Sequence, residues 1–364
     1  MRIPKLFLWM LLVPFVLACS SDNDFEDPVP TPKPTPTPQL YPLSISVGEN
    51  PLVDDAPASS NTGMFKAPIT FLNTLTVFNL SYIYATGEGD DGVPYASGTT
   101  AQRPESDREG HWKNGNGGEL GWPNDASPAR DPTLPVTWYA YTDFRGNIEL
   151  SNYNKDPYLN FTVDELVTDQ KDLLVAKKTD TWNSCKGVMF FRFDHACSAI
   201  KFFMKKATNI SSHTIVVKDV KLYNIKNTGR YYLERETPET PWNNVGYTST
   251  AAPYSVFTLY DSEKHNGFDL TDTYQPLHSG ALDKDDEDDY LFMIPQEVSH
   301  WNPNNEVATN TSGSYLKIVF TIDSEEKTGY VPFSGTFVMG HKHYVYVNLG
   351  KNSLRNASGG LIIQ

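Results

Sequence analysis

Between Tyr315 and Ile322 apolar and polar side chains alternate: Leu316, Ile318, Phe320 and Ile322 fall on one side of an extended chain, Tyr315, Lys317 and Thr321 on the other. Successive side chains of a strand point to opposite faces, so this run buries one of them and wets the other. A slip of one residue would bring the whole apolar set into water, which fixes the strand's orientation. The same alternation predicts strands elsewhere. Leu43, Ile45 and Val47 oppose Ser44 and Ser46 until Gly48-Glu-Asn-Pro51 breaks the run. Ile200, Phe202 and Met204 oppose Lys201 and Lys205, and Val216, Val220 and Leu222 are placed on one face. Further strand-like runs are Ile69 to Tyr84, with a bend near Asn79, then Val136 to Tyr141, Phe190 to Phe193, Ser255 to Tyr260, Tyr290 to Ile294 and Val345 to Leu349. Short alternating runs between turn-rich gaps point to antiparallel sandwiches.

Two stretches depart from this pattern. Asp164 to Lys178 is the one fair helical candidate: Thr162 and Glu165 stand at capping-box spacing, and Leu166, Leu173 and Leu174 share a helix face. Thr86 to Pro135 is dense in Gly, Pro, Asp and Asn and reads as one long loop. The chain's 20 Tyr, 19 Phe and 7 Trp raise strand propensity and supply a large core that needs no disulfide staple. Polar, turn-rich residues from Thr208 to His213 mark a boundary between an N-terminal domain, 40–207, and a C-terminal one, 208–364. The expected fold class is all-β, with two antiparallel β-sandwich domains in tandem and few short helices.

The N-terminal residues carry an address. Arg2 and Lys5 precede an apolar run from Leu6 to Leu17, and small Ala18 stands before Cys19. Residues 1–18 read as a signal peptide, and the junction looks like the lipobox of a bacterial lipoprotein, with Cys19 lipidated; an ordinary secretory peptide with a chance cysteine is the other reading. Each buried acyl methylene adds about 0.8 kcal/mol, so several chains anchor a protein durably. Residues 19–39 form an acidic and Pro-rich linker. Its Ser20 to Asp27 portion is similar to the surface-export signal of Bacteroides-type lipoproteins, and is equally read as a solvated acidic run. Alternating prolines from Pro28 to Pro38 favour an extended, semi-rigid spacer.

Chemistry is sparse. A formal charge of -14, without a basic patch, opposes nucleic-acid binding. No nucleophile elbow, zinc-protease helix, phosphate loop or dinucleotide fingerprint is present. Asp283 to Asp289 is rich in carboxylates but lacks the mid-loop glycine of a calcium loop, and reads as a solvated turn. His341 with His343, and His195 with Cys197, are pairs that could begin a zinc site, although each reads better as strand packing. Cys185 and Cys197 are either one disulfide or two buried thiols. No catalytic residue, metal or cofactor is expected.

Several short motifs, in order, carry a resemblance: Asp172-Leu-Leu-Val-Ala176, Phe191-Arg-Phe-Asp-His-Ala-Cys-Ser-Ala-Ile-Lys-Phe202, Val217-Lys-Asp-Val-Lys-Leu-Tyr-Asn224, Leu291-Phe-Met-Ile-Pro-Gln296, and Gly340-His-Lys-His-Tyr-Val-Tyr-Val-Asn-Leu349. Placed behind a lipobox, they resemble the fimbrillin-like superfamily, the lipoprotein subunits of type V pili. The resemblance implies transthyretin-like sandwiches, no catalysis, and a surface-exposed outer-membrane lipoprotein or fimbrium in adhesion or pilus assembly. Its partners would be other pilus subunits joined by β-strand addition, the outer membrane through the lipid, and a host or bacterial surface receptor. In this family stalk assembly resembles strand exchange after a protease removes the first strand at a basic residue. Here Lys66 is the one basic residue between Lys33 and Arg103 and lies close to the strand expected from Ile69, where burial would hinder a protease, so an accessory, tip or anchor subunit is expected over a bulk stalk subunit. Leu354, Leu361, Ile362 and Ile363 could form a donor tail or a frayed end. The alternative function is a surface glycan-binding lipoprotein using Trp112, Trp122 and Trp138.

Overall fold

The computed structural model describes residues 42–49, 53–54, 77–84, 93–102, 112–114, 120–122, 133–142, 148, 150–151, 156–170, 172–234, 241–250, 254–261, 267–277, 290–302 and 313–350. Residues 39–364 make one compact unit. Ahead of residue 207 come β1 (Pro42–Glu49), β2 (Val53–Asp54), β3 (Val77–Tyr84), β4 (Val93–Gln102), β5 (Lys113–Asn114), β6 (Leu120–Gly121), β7 (Val136–Tyr141), β8 (Leu150–Ser151), β9 (Tyr158–Thr162), β10 (Leu174–Asp180), β11 (Val188–His195) and β12 (Ser198–Lys206). After it come β13 (Ile215–Tyr223), β14 (Thr228–Tyr232), β15 (Trp242–Gly246), β16 (Val256–Asp261), β17 (Phe268–Asp269), β18 (Gln275–Pro276), β19 (Leu291–Met293), β20 (Gln296–Val298), β21 (Tyr315–Ile322), β22 (Glu325–Pro332), β23 (Gly335–Phe337) and β24 (His341–Leu349). The described α-helix is a single turn, α1 (Trp182–Cys185), started by Thr181, whose side chain accepts from Ser184 N. The molecule is an all-β sandwich.

An eight-stranded sheet runs β5-β4-β3-β7-β10-β11-β1-β6. Hydrophobic clusters cover both of its faces. In β7, Trp138 and Ala140 join one cluster while Tyr139 and Tyr141 join the other. Strands buried on both faces lose the simple alternation, which is why β7 reads as a continuous apolar run. The remaining sheets are β18-β12-β24-β2 with β19 beside β12, β16-β13-β21-β22 with β17 beside β13, β15-β14-β9-β8, and the pair β20-β23. Most pairings are antiparallel, but β1 with β11, β12 with β24, and β2 with β24 are parallel. The boundary expected at 207 and 208 falls at a short helical turn, Thr208–Ile210, between β12 and β13. Strand pairing crosses it: β9 pairs with β14, and β12 with β18, β19 and β24.

Leu316, Ile318 and Phe320 are buried as the alternation requires. Tyr315, expected in water, is buried as well: it stacks on Tyr223 at 4.9 Å and meets Trp301 and Tyr330 edge-on or tilted. Val216 does not share the face of Val220 and Leu222. The register shifts between Val217 and Asp219, so Ile215 and Val217 point inward ahead of the bulge, and Val220 and Leu222 after it.

Asp164 to Lys178 is not a helix. It holds a short turn, Val167–Asp169, and the first part of β10. Leu173 enters one cluster and its neighbour Leu174 the other, a separation that an extended chain makes and a helix face does not. The capping-box residues serve elsewhere: Glu165 accepts from Val256 N, and Thr162 donates to Thr228. The stretch from Thr86 to Pro135 is likewise more than a loop, because it contributes β4, β5 and β6 to the eight-stranded sheet. The small residues of β4 (Ala96, Ser97, Gly98) hide its strand character, which its pairing with β3 supplies.

Candidate strand-acceptor site

The N-terminal strands β1 and β2 lie on two different sheets. β1 runs parallel to β11, from Ser44 beside Val188 to Glu49 beside Phe193, with Ser44 N donating to Gly187 O at 2.7 Å. On its other side, among the described residues, β6 pairs with Pro42 and Leu43. Leu43 and Ile45 are buried in a cluster with Trp112, Leu120, Trp122 and Phe191, and Val47 packs partly against it. β2 then runs parallel to the start of β24, Val53 N donating to Gly340 O at 2.8 Å. Residues 44–49 therefore lie along β11, and residues 53–54 along β24.

The join between those two supporting strands is tightly held. β11 passes into β12 through Ala196 and Cys197, and β12 pairs with β24 over eight residues of each. Ala196 N donates to Leu173 O and Ala196 O accepts from Trp242 Nε1 at 2.7 Å. Gly340 N donates to Cys197 O, and Ser198 Oγ donates to Val338 O at 2.7 Å. His195 Nδ1 meets Asp172 Oδ2, with both side chains buried. That buried pair fixes the end of β11 against the start of β10. Burial and the Asp172 charge push the Cys197 thiol well above its ordinary range, which makes it a packing group and a poor nucleophile.

The other sequence-derived candidates fall as follows. Cys19, Lys66, Leu354, Leu361, Ile362, Ile363 and the acidic run from Asp283 to Asp289 lie outside the described residues. Trp112, Trp122 and Trp138 are 4%, 3% and 1% exposed, and the last two pack ring to ring at 5.3 Å, so they build the core and offer no platform. Cys185 and Cys197 are free thiols. His341 and His343 stack on one another, and His343 Nε2 accepts from Val338 N at 3.1 Å. Among the described residues no three His, Cys, Asp or Glu side chains converge on a metal position. Nor is any described helix long and apolar enough to cross a membrane. The site that sequence reasoning underspecified is the path along β24, because a parallel pairing between residues 53 and 341 leaves no local trace.

A solved structure shares this architecture. The chain is similar to a fimbrial protein from Bacteroides vulgatus at 18% identity, with a TM-score of 0.50, covering 84% of this chain and 95% of that one. A proposed cell adhesion protein from Bacteroides uniformis aligns at 14% identity and a TM-score of 0.45, covering 88% and 96%. No curated relative matches the sequence. A family model described as fimbrillin-like matches residues 81–362, and on that match over most of its length the chain belongs to the fimbrillin-like family.

Proposed function

We propose that the protein is a non-catalytic, surface-exposed outer-membrane lipoprotein that serves as a fimbrial component and joins other subunits by β-strand addition. The observation that carries this reading is the parallel pairing of residues 44–49 with β11 and of residues 53–54 with β24. A segment held by main-chain pairing, with alternate side chains in a hydrophobic cluster, occupies the kind of site that an added strand uses. Lipidation at Cys19 would hold the chain at the membrane, and the Pro-rich residues up to Pro38 would set the folded part away from it.

An accessory, tip or anchor role is preferred to that of a bulk stalk subunit. Residues 48–63 contain no Lys or Arg, so a protease cutting at basic residues finds Lys66 as its one target between β1 and β3. Mass spectrometry of the N-terminus of surface-purified protein tests this. An acylated Cys19 supports the accessory role, and a mature N-terminus at Ala67 in long filaments would transfer the protein to the stalk. The glycan-binding alternative draws nothing from Trp112, Trp122 and Trp138, which are buried.

A further inference from the structure

We propose that the outward face of β24 binds a carboxylated sugar of a surface glycan, seated on the ring of Tyr346. The proposal is independent of strand addition, because it uses the sheet with β1 in place. β12 and β24 run parallel in register, Phe203 beside Tyr346 and Lys205 beside Asn348. Phe202, Met204 and Val347 enter the core cluster, so Phe203, Lys205, Tyr346 and Asn348 stand on the opposite face. Phe203 stacks on Tyr346 with ring centres 5.3 Å apart and planes at 20°. Tyr274, just ahead of β18, meets Tyr346 at 4.9 Å and 69°. β18 and β24 flank β12 on opposite sides, so both rings reach Tyr346 from the β12 side and fix its plane. Beyond Lys342, the far edge of β24 pairs with no strand among the described residues. Tyr346 is 41% exposed, and its open face is the one turned toward that edge.

A ring fixed in this way suits a sugar. A pyranose lays its C–H face on an aromatic plane and directs its hydroxyls sideways, and a ring already held loses little freedom on binding. Asn348, exposed two residues along the strand, offers an amide donor and acceptor to those hydroxyls. Beside it Lys205 Nζ is held over the Tyr274 ring, 4.4 Å from its centre. An ammonium donor there selects a sugar that carries a carboxylate. Neither β12 nor β24 contains Asp or Glu, in a chain that has 44 of them; Asp272, two residues ahead of Tyr274, is exposed. The formal charge of -14 repels polyanions from the molecule as a whole, so retention of one reports a local site.

Native affinity electrophoresis of the full chain tests this, in gels containing polygalacturonate, hyaluronan or fully methyl-esterified polygalacturonate at about 0.15 M salt. At least one of the two acidic polymers is expected to retard the protein, and more strongly than the ester does. Tyr346→Ala should weaken that retention about tenfold, while Tyr346→Phe keeps it. Lys205→Met should weaken it about threefold and leave the ester unaffected. Asn348→Ala, a change at an exposed residue, frees the test from folding defects: about threefold loss is expected, and no loss overturns the site. Retardation by neither acidic polymer overturns the proposal and leaves the Tyr346 face to a protein partner. Retention that survives Tyr346→Ala, or that is as strong on the ester as on the acid, overturns it too.

Discussion

Gly313 sits where backbone meets backbone: a Cβ there would lie 2.4 Å from His300 O and 2.6 Å from its carbonyl carbon. Neither atom can swing aside as a side chain can, and Trp301 N and Ser314 O bond across the same place. Gly313→Ala should therefore cost about 1–3 kcal/mol. Gly246→Ala is the control, since its nearest contact would be 3.8 Å away, and should stay within about 0.5 kcal/mol. Chemical denaturation of the two variants checks the contrast. The cysteines make a second residue-scale prediction. Burial raises both thiols, Cys197 more than half-buried Cys185. An alkylating reagent at neutral pH should leave Cys197 unlabelled in the folded protein, while both Cys185 and Cys197 take label in denaturant without reductant. Peptide mapping reads the outcome, and protection of both in denaturant would reveal a disulfide.

Among the elements, the β21–β22 hairpin turns through Asp323 and Ser324, whose φ values are 48° and 78°. Two positive φ angles suit a tight hairpin but burden a residue with a Cβ. Asp323 is held there by its side chain, which accepts from Thr214 N at 3.0 Å and meets His213 at 2.7 Å. Ser324→Gly should raise stability by about 1 kcal/mol, read as a shift in the denaturation midpoint. The hydrogen bond from His213 also lowers the Asp323 carboxyl below its ordinary range. Its contribution is thus present above the ordinary carboxylate value and is lost as pH falls through the lowered one, so Asp323→Asn should flatten the acid limb of the stability profile. The bulge in β13 makes a further prediction. Val217 already faces Phe320 and Asp219 faces Val319, so deleting Lys218 restores strict alternation with Ile215, Val217, Val220 and Leu222 all inward, and chemical denaturation should show the cooperative fold retained. Elements with one wet face were legible in the sequence: β1, β11 and β21 alternate as they pack. Elements between the two clusters were not, and β10 passed for a helix because Leu173 and Leu174 serve different cores. The candidate site was half legible, as the alternation marks β1 while nothing near Val53 announces its partner in β24.

At the scale of the whole molecule, strands from both sides of residue 207 share sheets, and one cluster reaches from Tyr139 to Leu349. A nick within residues 208–213 should therefore leave the two pieces bound to each other in size-exclusion chromatography and release them only in denaturant. Pieces that separate in native buffer would show that the pairings of β9 with β14 and of β12 with β24 contribute little. Membership of the fimbrillin-like family and the proposed strand-acceptor role of β11 and β24 lead to one proposal about the cell: this chain is part of a fimbria. Immunogold electron microscopy of intact cells, with antibody against the folded part, measures that directly. Gold is expected on filaments, concentrated at their tips or bases for an accessory subunit. Gold scattered over the cell surface, with filaments bare, would contradict it.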